Sequence, residues 1–179
     1  IVTGFINIPQ EDKSVKTHCI KKHKYSYIEK SIPTLKVKQK MIIYVPKNLY
    51  DHVYETRKSI GYLDKTKIVI IQQEFLYMKE HIDIIKNNCK KNSETYRNPN
   101  YICAVSTRYN LLRDAIKNNF FLTNYFTWVD FGVVHCADIN DNTIFKYNKN
   151  NVYWNQKQVQ VGLFTRRGTC YCQARFYHE

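Results

Sequence analysis

The chain has 179 residues and a formal charge of +13, from 28 Lys and Arg against 15 Asp and Glu. Hydrophobic residues make up 44% and aromatic residues 15%, which excludes a disordered polymer and fits one domain with its own core. The charge favours anionic partners, namely nucleic acid, anionic lipid or phosphorylated small molecules, and does not choose among them.

Membrane and redox signals are both weak. No apolar run approaches the roughly 18 residues of a membrane helix, so the chain is expected to be soluble. The six cysteines form neither a C-x-x-C pair nor a regular framework, and a reducing compartment, the cytoplasm, is expected. The chain starts at Ile1 and enters strand-like sequence at once, which suggests a fragment or an excised domain.

Strands are predicted at three apolar, β-branched runs in the first half of the chain. These are “IVTGFINI” at the start, “KMIIYV”, which Pro46 closes, and “TKIVII”. Each run is short and is bounded by polar or turn-forming residues, a pattern typical of strands in a buried sheet.

Helices are predicted between and after these strands. “YSYIEKSIPTLKV” indicates a short helix interrupted at Pro33, and “NLYDHVYETRKSIG” a longer one that stops at Gly61. “FLYMKEHIDIIKNNCKKN” predicts a helix with Met78, Ile82 and Ile85 on one face, and “YICAVSTRYNLLRDAIKNN” predicts another. Because strands and helices alternate, we expect an α/β sandwich with a largely parallel sheet.

The stretch “FTWVDFGVVH” predicts a fourth strand with a single carboxylate, Asp130, among aromatic and β-branched residues. Burying an unpaired carboxylate costs several kcal/mol, so a partner for Asp130 is expected. Gly132, two residues on, permits a bend or a close backbone approach. A ligand or metal site and a solvated acid at a strand end both remain open.

The last part of the chain has the weakest pattern. From Ala137 onward the sequence is rich in Asn, and hairpins are the regular structure that it suggests. The tail after Gly162 shows no clear pattern, and Cys170 and Cys172 match none of the usual zinc spacings.

Several nucleotide and hydrolase motifs are missing from the sequence. It contains no G-x-G-x-x-G, no G-x-x-x-x-G-K-[ST] and no G-x-S-x-G, and its D-F-G letters lack the other kinase motifs. Ligands of parallel sheets bind at the carboxyl ends of strands, which here would gather residues 3–7, the end of “TKIVII” and Asp130. Arg108 and Arg113 precede that acid, and either could meet a phosphate. For Arg113 a surface charge or a pair with Asp114 is favoured.

The segment “NPNYICAVSTRYNLLRDAIKNNFFLTNYFTWVDFGVVH” resembles the signature region of HtrL/YibB-like proteins. That region has a helix ending near an Asn-Pro-Phe-like turn, a short Asn/Asp-Tyr-Phe stretch and then Trp-Ile/Val-Asp-Phe/Ala-Gly. The matching parts here are “AIKNNFF”, “TNYF” and “WVDFG”, and “IVTGFINI” is similar to the family's first strand. The resemblance covers about the first three quarters of the chain, and “WVDFG” is its most specific part.

The resemblance implies a GT-A-like α/β sandwich with a mainly parallel central sheet, incomplete at the C-terminus. It implies one domain over residues 1–179, with a nucleotide-sugar-binding part at 1–136 and a partial acceptor-side part at 137–179. The implied activity is glycosyl transfer from a nucleotide-diphosphate sugar to a glycan or other hydroxyl acceptor, in such proteins often linked to surface polysaccharide. No catalytic residue is assigned. The donor would be met by five residues: Thr3, Phe5, Arg108, Asp130 and Gly132.

The resemblance also implies a divalent cation, Mn²⁺ or Mg²⁺, bound through Asp130 and the donor's phosphates. The usual motif is Asp-x-Asp, and here Gly132 occupies its third position. A second oxygen would then come from Asp138 or Asp141, or basic side chains would take the place of the metal.

Two other functions stay open beside glycosyl transfer. One is a basic nucleic-acid-binding module, in which some of the 15 tyrosines would stack on bases. It is disfavoured, because the aromatic residues lie mainly inside apolar runs that indicate core packing. The other is a catalytically inactive relative of the glycosyltransferases.

Overall fold

The computed structural model describes residues 1–6, 28–72, 76–91 and 99–132, and the backbone of residues 161–165 and 168–172. The strands are β1 (Val2–Gly4), β2 (Met41–Pro46), β3 (Thr66–Ile71), β4 (Val161–Thr165) and β5 (Gly168–Cys172). The helices are α1 (Ile32–Leu35), α2 (Tyr50–Ser59), α3 (Ile82–Lys91) and α4 (Pro99–Asn118). The fold is mixed α/β, and the first three predicted strands are confirmed.

The main sheet is parallel and open. Its strands lie in the order β1, β2, β3, with Val2 opposite Ile42 and Met41 opposite Thr66. On the free side of β1, Trp128 makes a parallel bridge to Val2, with hydrogen bonds of 2.8 and 2.9 Å on either side of it. The predicted fourth strand is therefore a single bridge beside β1 within the described residues. Across the sheet the order is β3, β2, β1 and then the bridge, so the strand order reverses beside β1.

Both faces of the sheet are covered, which explains why β2 is buried at every position. One face packs Ile43 and Val45 against Leu35 of α1 and Val53 of α2. The other face packs side chains of β1 and β2 against α4: Val2, Ile42, Tyr44, Leu111 and Ala115. The crossover helix α2 and the later helix α4 thus lie on opposite sides, as in doubly wound α/β folds.

Turn chemistry sets several helix boundaries. Gly61, with φ 72°, follows α2 and confirms the predicted stop. Pro33 lies in the first turn of α1, where its missing N–H costs little. Residues 28–29 are also helical and a turn at residues 30–31 separates them from α1, so the helix is interrupted just before Pro33, as predicted. The prediction that Met78 shares a helix face with Ile82 is wrong. Met78 has φ 70° and precedes a 3₁₀ turn, and α3 begins only at Ile82.

The tail is more regular than its sequence pattern indicates. Strands β4 and β5 form an antiparallel pair in which Val161 lies opposite Cys172 and Thr165 opposite Gly168. In the described parts of the chain, no helix combines the length and apolar character that crossing a bilayer would require.

A buried arginine connects the starts of β2 and β3 to the helices α1 and α2. The Arg57 side chain of α2 is fully buried, and its guanidinium donates to the carbonyl oxygens of Leu35, Val37 and Gln39 at 2.6–3.0 Å. Its Nε donates to Thr66 Oγ1 at 2.7 Å, at the start of β3. Burial lowers the pKa of this guanidinium. One side chain therefore fixes the turn that leads into β2, the helix α2 and the first residue of β3.

We expect Arg57→Ala to lower the free energy of unfolding by roughly 3 kcal/mol or more, because three carbonyls would lose their donor. Arg57→Lys should fall between wild type and Arg57→Ala, since an ammonium cannot span all four acceptors. Urea unfolding measures both. Lys58→Ala, at the exposed neighbouring position, is the control and should change stability by less than about 0.5 kcal/mol. Equal losses for Arg57→Ala and Lys58→Ala would contradict this account.

Candidate functional site

The carboxyl ends of the parallel strands form one edge of the sheet, and polar residues collect there. An open cleft of about 500 Å³ lies where β2 and β3 end, lined by Lys47, Asn48, Ile70, Ile71 and Gln72. At the same edge, Asp130 follows the bridge beside β1. The strand order reverses between β1 and this bridge, and such a reversal is where open α/β sheets bind ligands.

Asp130 is held by two partners, which excludes the alternative of a freely solvated acid. The Trp128 indole Nε1 donates to Asp130 Oδ1 at 2.9 Å. Arg108 Nη1 lies 3.0 Å from the same oxygen, and the two charged side chains are 31% and 28% exposed. The pair is therefore half-buried, where Coulomb attraction is screened less than on an open surface.

Local geometry explains why these three side chains meet. Trp128 and Asp130 are two residues apart in extended chain, so their side chains point to the same face. On that face the Trp128 ring packs against the core cluster that includes Leu111 and Ala115 of α4. Arg108 lies one turn before Leu111 on the same helix, which brings its guanidinium to the bridge.

The end of β1 provides a close backbone approach. A Cβ placed on Gly4 would lie 2.9 Å from the Tyr44 carbonyl oxygen and 3.1 Å from Tyr44 Cβ, so only glycine fits beside β2 there. The Thr3 side chain is fully buried on the opposite face, and its Oγ1 has no hydrogen-bond partner. Phe5 packs edge-on against Phe131 with ring centroids 5.8 Å apart.

The predicted donor residues therefore divide into two groups. Arg108 and Asp130 are in direct contact, whereas Thr3 and Phe5 are on β1 and directly after it. Gly132 is buried directly after Phe131, whose ring contacts Phe5. The assignment of these residues to a donor stays a prediction.

Arg113, the other arginine considered for a phosphate, has a separate environment. Its Nη2 donates to Asn110 Oδ1 at 2.8 Å on the exposed side of α4. Asp114 instead accepts a 2.7 Å hydrogen bond from the buried Tyr44 hydroxyl. Burial, with this bond second, raises the pKa of Tyr44. Asp114 thus fastens α4 to β2, and Arg113 remains a surface charge.

The described residues do not by themselves fit a metal centre. Across the ranges that the structure covers, no three His, Cys, Asp or Glu side chains come together. The one predicted ligand among them, Asp130, already faces the cationic Arg108 at 3.0 Å. Asp138 and Asp141, the predicted sources of a second oxygen, lie outside the described residues, as do His135 and Cys136.

Sequence reasoning placed the end of “TKIVII”, which contributes Ile70 and Ile71 to the cleft, at this edge, and missed Trp128 and the polar cleft residues. Lys47, Asn48 and Gln72 directly follow β2 and β3, so the rule that ligands bind at strand ends could have found them. Trp128 could have been found from its i, i+2 spacing to Asp130. The pairing of Arg108 with Asp130 depends on how α4 packs on the sheet, and no local pattern carries it.

Comparison with known proteins identifies a family without an assigned activity. The model of a family described as a bacterial protein of unknown function (HtrL_YibB) matches residues 1–165. The chain therefore belongs to the HtrL/YibB family. No curated protein and no solved structure matches it.

We expect a double-mutant cycle of Arg108→Gln and Asp130→Asn to give a coupling free energy of about 0.5–1 kcal/mol, as for a partly exposed pair. Asp130→Asn keeps an oxygen for Trp128 and removes only the charge partner of Arg108. Urea unfolding gives the four stabilities. Trp128 emission, measured in a Trp154→Phe background, should change more with Asp130→Ala than with Asp130→Asn. Zero coupling would mean that the ion pair contributes nothing to the fold.

Proposed function

We propose that this member of the HtrL/YibB family is a GT-A-type glycosyltransferase that uses a nucleotide-diphosphate sugar. The observation that carries the proposal is the half-buried Arg108–Asp130 pair at the carboxyl edge, beside the reversal of strand order. An arginine at that place in a parallel sheet suits the phosphates of a nucleotide ligand.

The donor would lie along the carboxyl edge. We assign its nucleoside to the cleft of Lys47, Asn48 and Gln72, with the exposed Ile70 side chain as an apolar surface. The bridge is about two to three strand spacings from this cleft, roughly 10–14 Å, a span that a diphosphate and sugar can bridge. The diphosphate would pass the end of β1, where Gly4 adds no side chain. Thr3 has its side chain sealed from solvent and its backbone paired with β2, so it would shape the end of β1 beneath the donor without binding the donor directly.

Arg108 has the central role in this proposal. Its Nη1 faces Asp130, and the rest of the planar guanidinium fork is suited to two phosphate oxygens. Asp130 orients the fork before the donor arrives and can then accept a hydrogen bond from a ribose hydroxyl. Orientation in advance avoids the cost of ordering the long arginine side chain when the donor binds.

The chemistry follows from where charge develops. The bond between the sugar C1 and the donor's phosphate oxygen breaks, and the nucleoside diphosphate leaves with the electron pair. An acceptor hydroxyl oxygen forms the new bond to C1 and loses its proton. Arg108 would stabilise the negative charge that builds on the departing diphosphate. The base that removes the proton is not assigned to a described residue.

Uncoupled hydrolysis of a donor, measured over uridine and guanosine diphosphate sugars, tests the proposal without a known acceptor. We expect Arg108→Gln to reduce the rate on the preferred donor by about 100-fold, the effect of removing one charge-stabilising donor group. Asp130→Asn removes the partner that orients Arg108, the ribose contact and the carboxylate proposed for the divalent cation, so it should abolish turnover while lowering stability by no more than about 1 kcal/mol. Arg113→Gln, which removes an exposed arginine of the same helix, is the control and should retain the wild-type rate.

Three outcomes decide between the candidate functions. Hydrolysis that is unchanged in Arg108→Gln and Asp130→Asn would overturn the assigned roles. Donor binding without turnover would favour the inactive relative. Salt-sensitive binding of a single-stranded oligonucleotide, with no donor binding, would favour the nucleic-acid module.

For the divalent cation we propose binding that depends on nucleotide, since Asp130 is one carboxylate and is already paired. Calorimetry should show little Mn²⁺ affinity for the free protein and measurable affinity once a nucleoside diphosphate is present. Tight Mn²⁺ binding without nucleotide would reveal ligands beyond the described residues, with His135, Asp138 and Asp141 the first to substitute. No binding in either condition would leave the charge of the diphosphate to basic side chains.

A further inference from the structure

The amino edge of the sheet, opposite the candidate site, carries an exposed apolar loop. This loop, residues 119–125, joins α4 to the bridge and contains Leu122, which is 91% exposed, Tyr125, which is 61% exposed, and Phe120, which is 41% exposed. In the last turn of α4, Ile116 is 51% exposed. Bulky apolar side chains gathered in this way indicate an interaction surface.

The loop holds Leu122 in a conformation that disfavours it. Asn119 and Leu122 have φ of 37° and 49°, in the left-handed region that L-residues other than Asn and Asp rarely adopt. The Asn119 side chain fixes this shape, because its Nδ2 donates to Thr123 O at 3.1 Å and its Oδ1 accepts from Thr123 N at 2.9 Å. These two hydrogen bonds thus hold Leu122 exposed to solvent, in a backbone conformation that asparagine would adopt more readily.

Lysines surround this loop. Lys67 Nζ lies 4.9 Å from the centroid of the Phe120 ring, and Lys40 Nζ lies 6.0 Å from that of Phe121. The turns that lead into β2 and β3 lie at the same edge, because parallel strands all start there. These turns, the first residues of β3 and the end of α4 carry exposed lysines: Lys36, Lys38, Lys40, Lys65, Lys67 and Lys117.

Acidic side chains near this edge are few among the described residues. Asp64 is exposed in the turn before β3, and Asp114 is engaged by Tyr44 and Asn118. Glu55, one turn further from the edge on α2, lies 3.9 Å from Lys58. The edge therefore combines a positive field with a protruding apolar group.

We propose that the amino edge is a docking surface for an anionic phospholipid bilayer. Leu122 and Phe120 enter the boundary between headgroups and acyl chains, and the lysines lie on the headgroup phosphates. An aliphatic tip favours lipid over nucleic acid, because leucine has no ring to stack on a base. The surface is separate from the candidate site, and it stands whether or not the chain transfers sugars.

Vesicle co-sedimentation of the 179-residue chain tests the proposal, with neutral phosphatidylcholine vesicles beside vesicles that contain phosphatidylglycerol. We expect binding to the anionic vesicles alone, weakening as salt rises. Leu122→Asn should reduce the affinity about tenfold or more, through lost apolar burial. It should not lower the unfolding midpoint, since asparagine tolerates the left-handed backbone. Lys40→Glu with Lys67→Glu should reduce the affinity at least about 25-fold, near fivefold for each lysine.

Matched controls distinguish binding through this surface from non-specific hydrophobic binding and from an effect of net charge alone. Ile84→Asn removes an aliphatic side chain that is 62% exposed on α3, and Lys47→Glu with Lys86→Glu makes the same change in net charge elsewhere. Both should bind vesicles within about twofold of wild type, a difference below the roughly 1 kcal/mol expected for one lysine. No binding to anionic vesicles, equal losses in variants and controls, or tighter binding of a single-stranded oligonucleotide would each overturn the proposal. Concentration-dependent dimerisation abolished by Leu122→Asn, without vesicle binding, would replace lipid with a second copy.

Discussion

The buried guanidinium of Arg57 is the interaction on which the rest of the structure depends. It binds three carbonyls of the turn before β2 and the first side chain of β3 from a position near the end of α2. Strand β2 lies between β1 and β3, so its entry angle sets the register of both neighbours. A lysine could not meet all four acceptors, because its ammonium is a point charge on a flexible stem. The planar fork of arginine is what lets one side chain fix three elements.

The candidate site is a consequence of where the sheet reverses its order. The two faces are covered by different helices, and α4 reaches the bridge segment on one of them only. That arrangement brings Arg108 and Asp130 together across a separation of 22 residues in sequence. The hydroxyl of Tyr44, which holds Asp114, fixes the same helix further along. The packing of Leu111 and Ala115 against the central strands and the Tyr44–Asp114 hydrogen bond thus set the position of one guanidinium.

The sequence predicted the elements better than the contacts between them. Strands β1 to β3 are apolar runs with clear ends, and Gly61 is a recognisable stop, so local chemistry was enough to place them. The helix boundary at Ile82 was not predictable in this way. Methionine has no preference for the left-handed backbone that Met78 adopts, and this conformation is set by the turn around it. The reduction of the fourth strand to one bridge depends on long-range pairing with β1 that a period-2 pattern does not contain. The β4–β5 pair is local, with Thr165 opposite Gly168, but the tail after Gly162 has no alternation of apolar and polar residues that would predict its strands.

For the candidate site, the sequence predicted which residue types take part but not which side chains are in contact. Asp130 stands out because an acid in an apolar run needs a partner, and the resemblance to HtrL/YibB-like proteins singled out the same block. Which cation would pair with it depended on helix packing. Trp128 is part of the “WVDFG” motif, but its hydrogen bond to Asp130 follows from the direction of side chains in extended chain. Lys47 and Gln72 directly follow the predicted ends of two strands, so the rule that ligands bind at strand ends could have singled them out.

The candidate site and the amino edge lie at opposite ends of the strands, which bears on the choice of acceptor under the proposed function. The six residues of β2 span about 20 Å at 3.3 Å per residue, and they separate the two ends of the sheet. Under the proposed docking, with the amino edge on a bilayer, the cleft would open toward solution, away from the lipid. Under the proposed glycosyl transfer, a short lipid-linked acceptor would then stay below the cleft, whereas a long chain that extends from the surface, or a dissolved acceptor, would reach it.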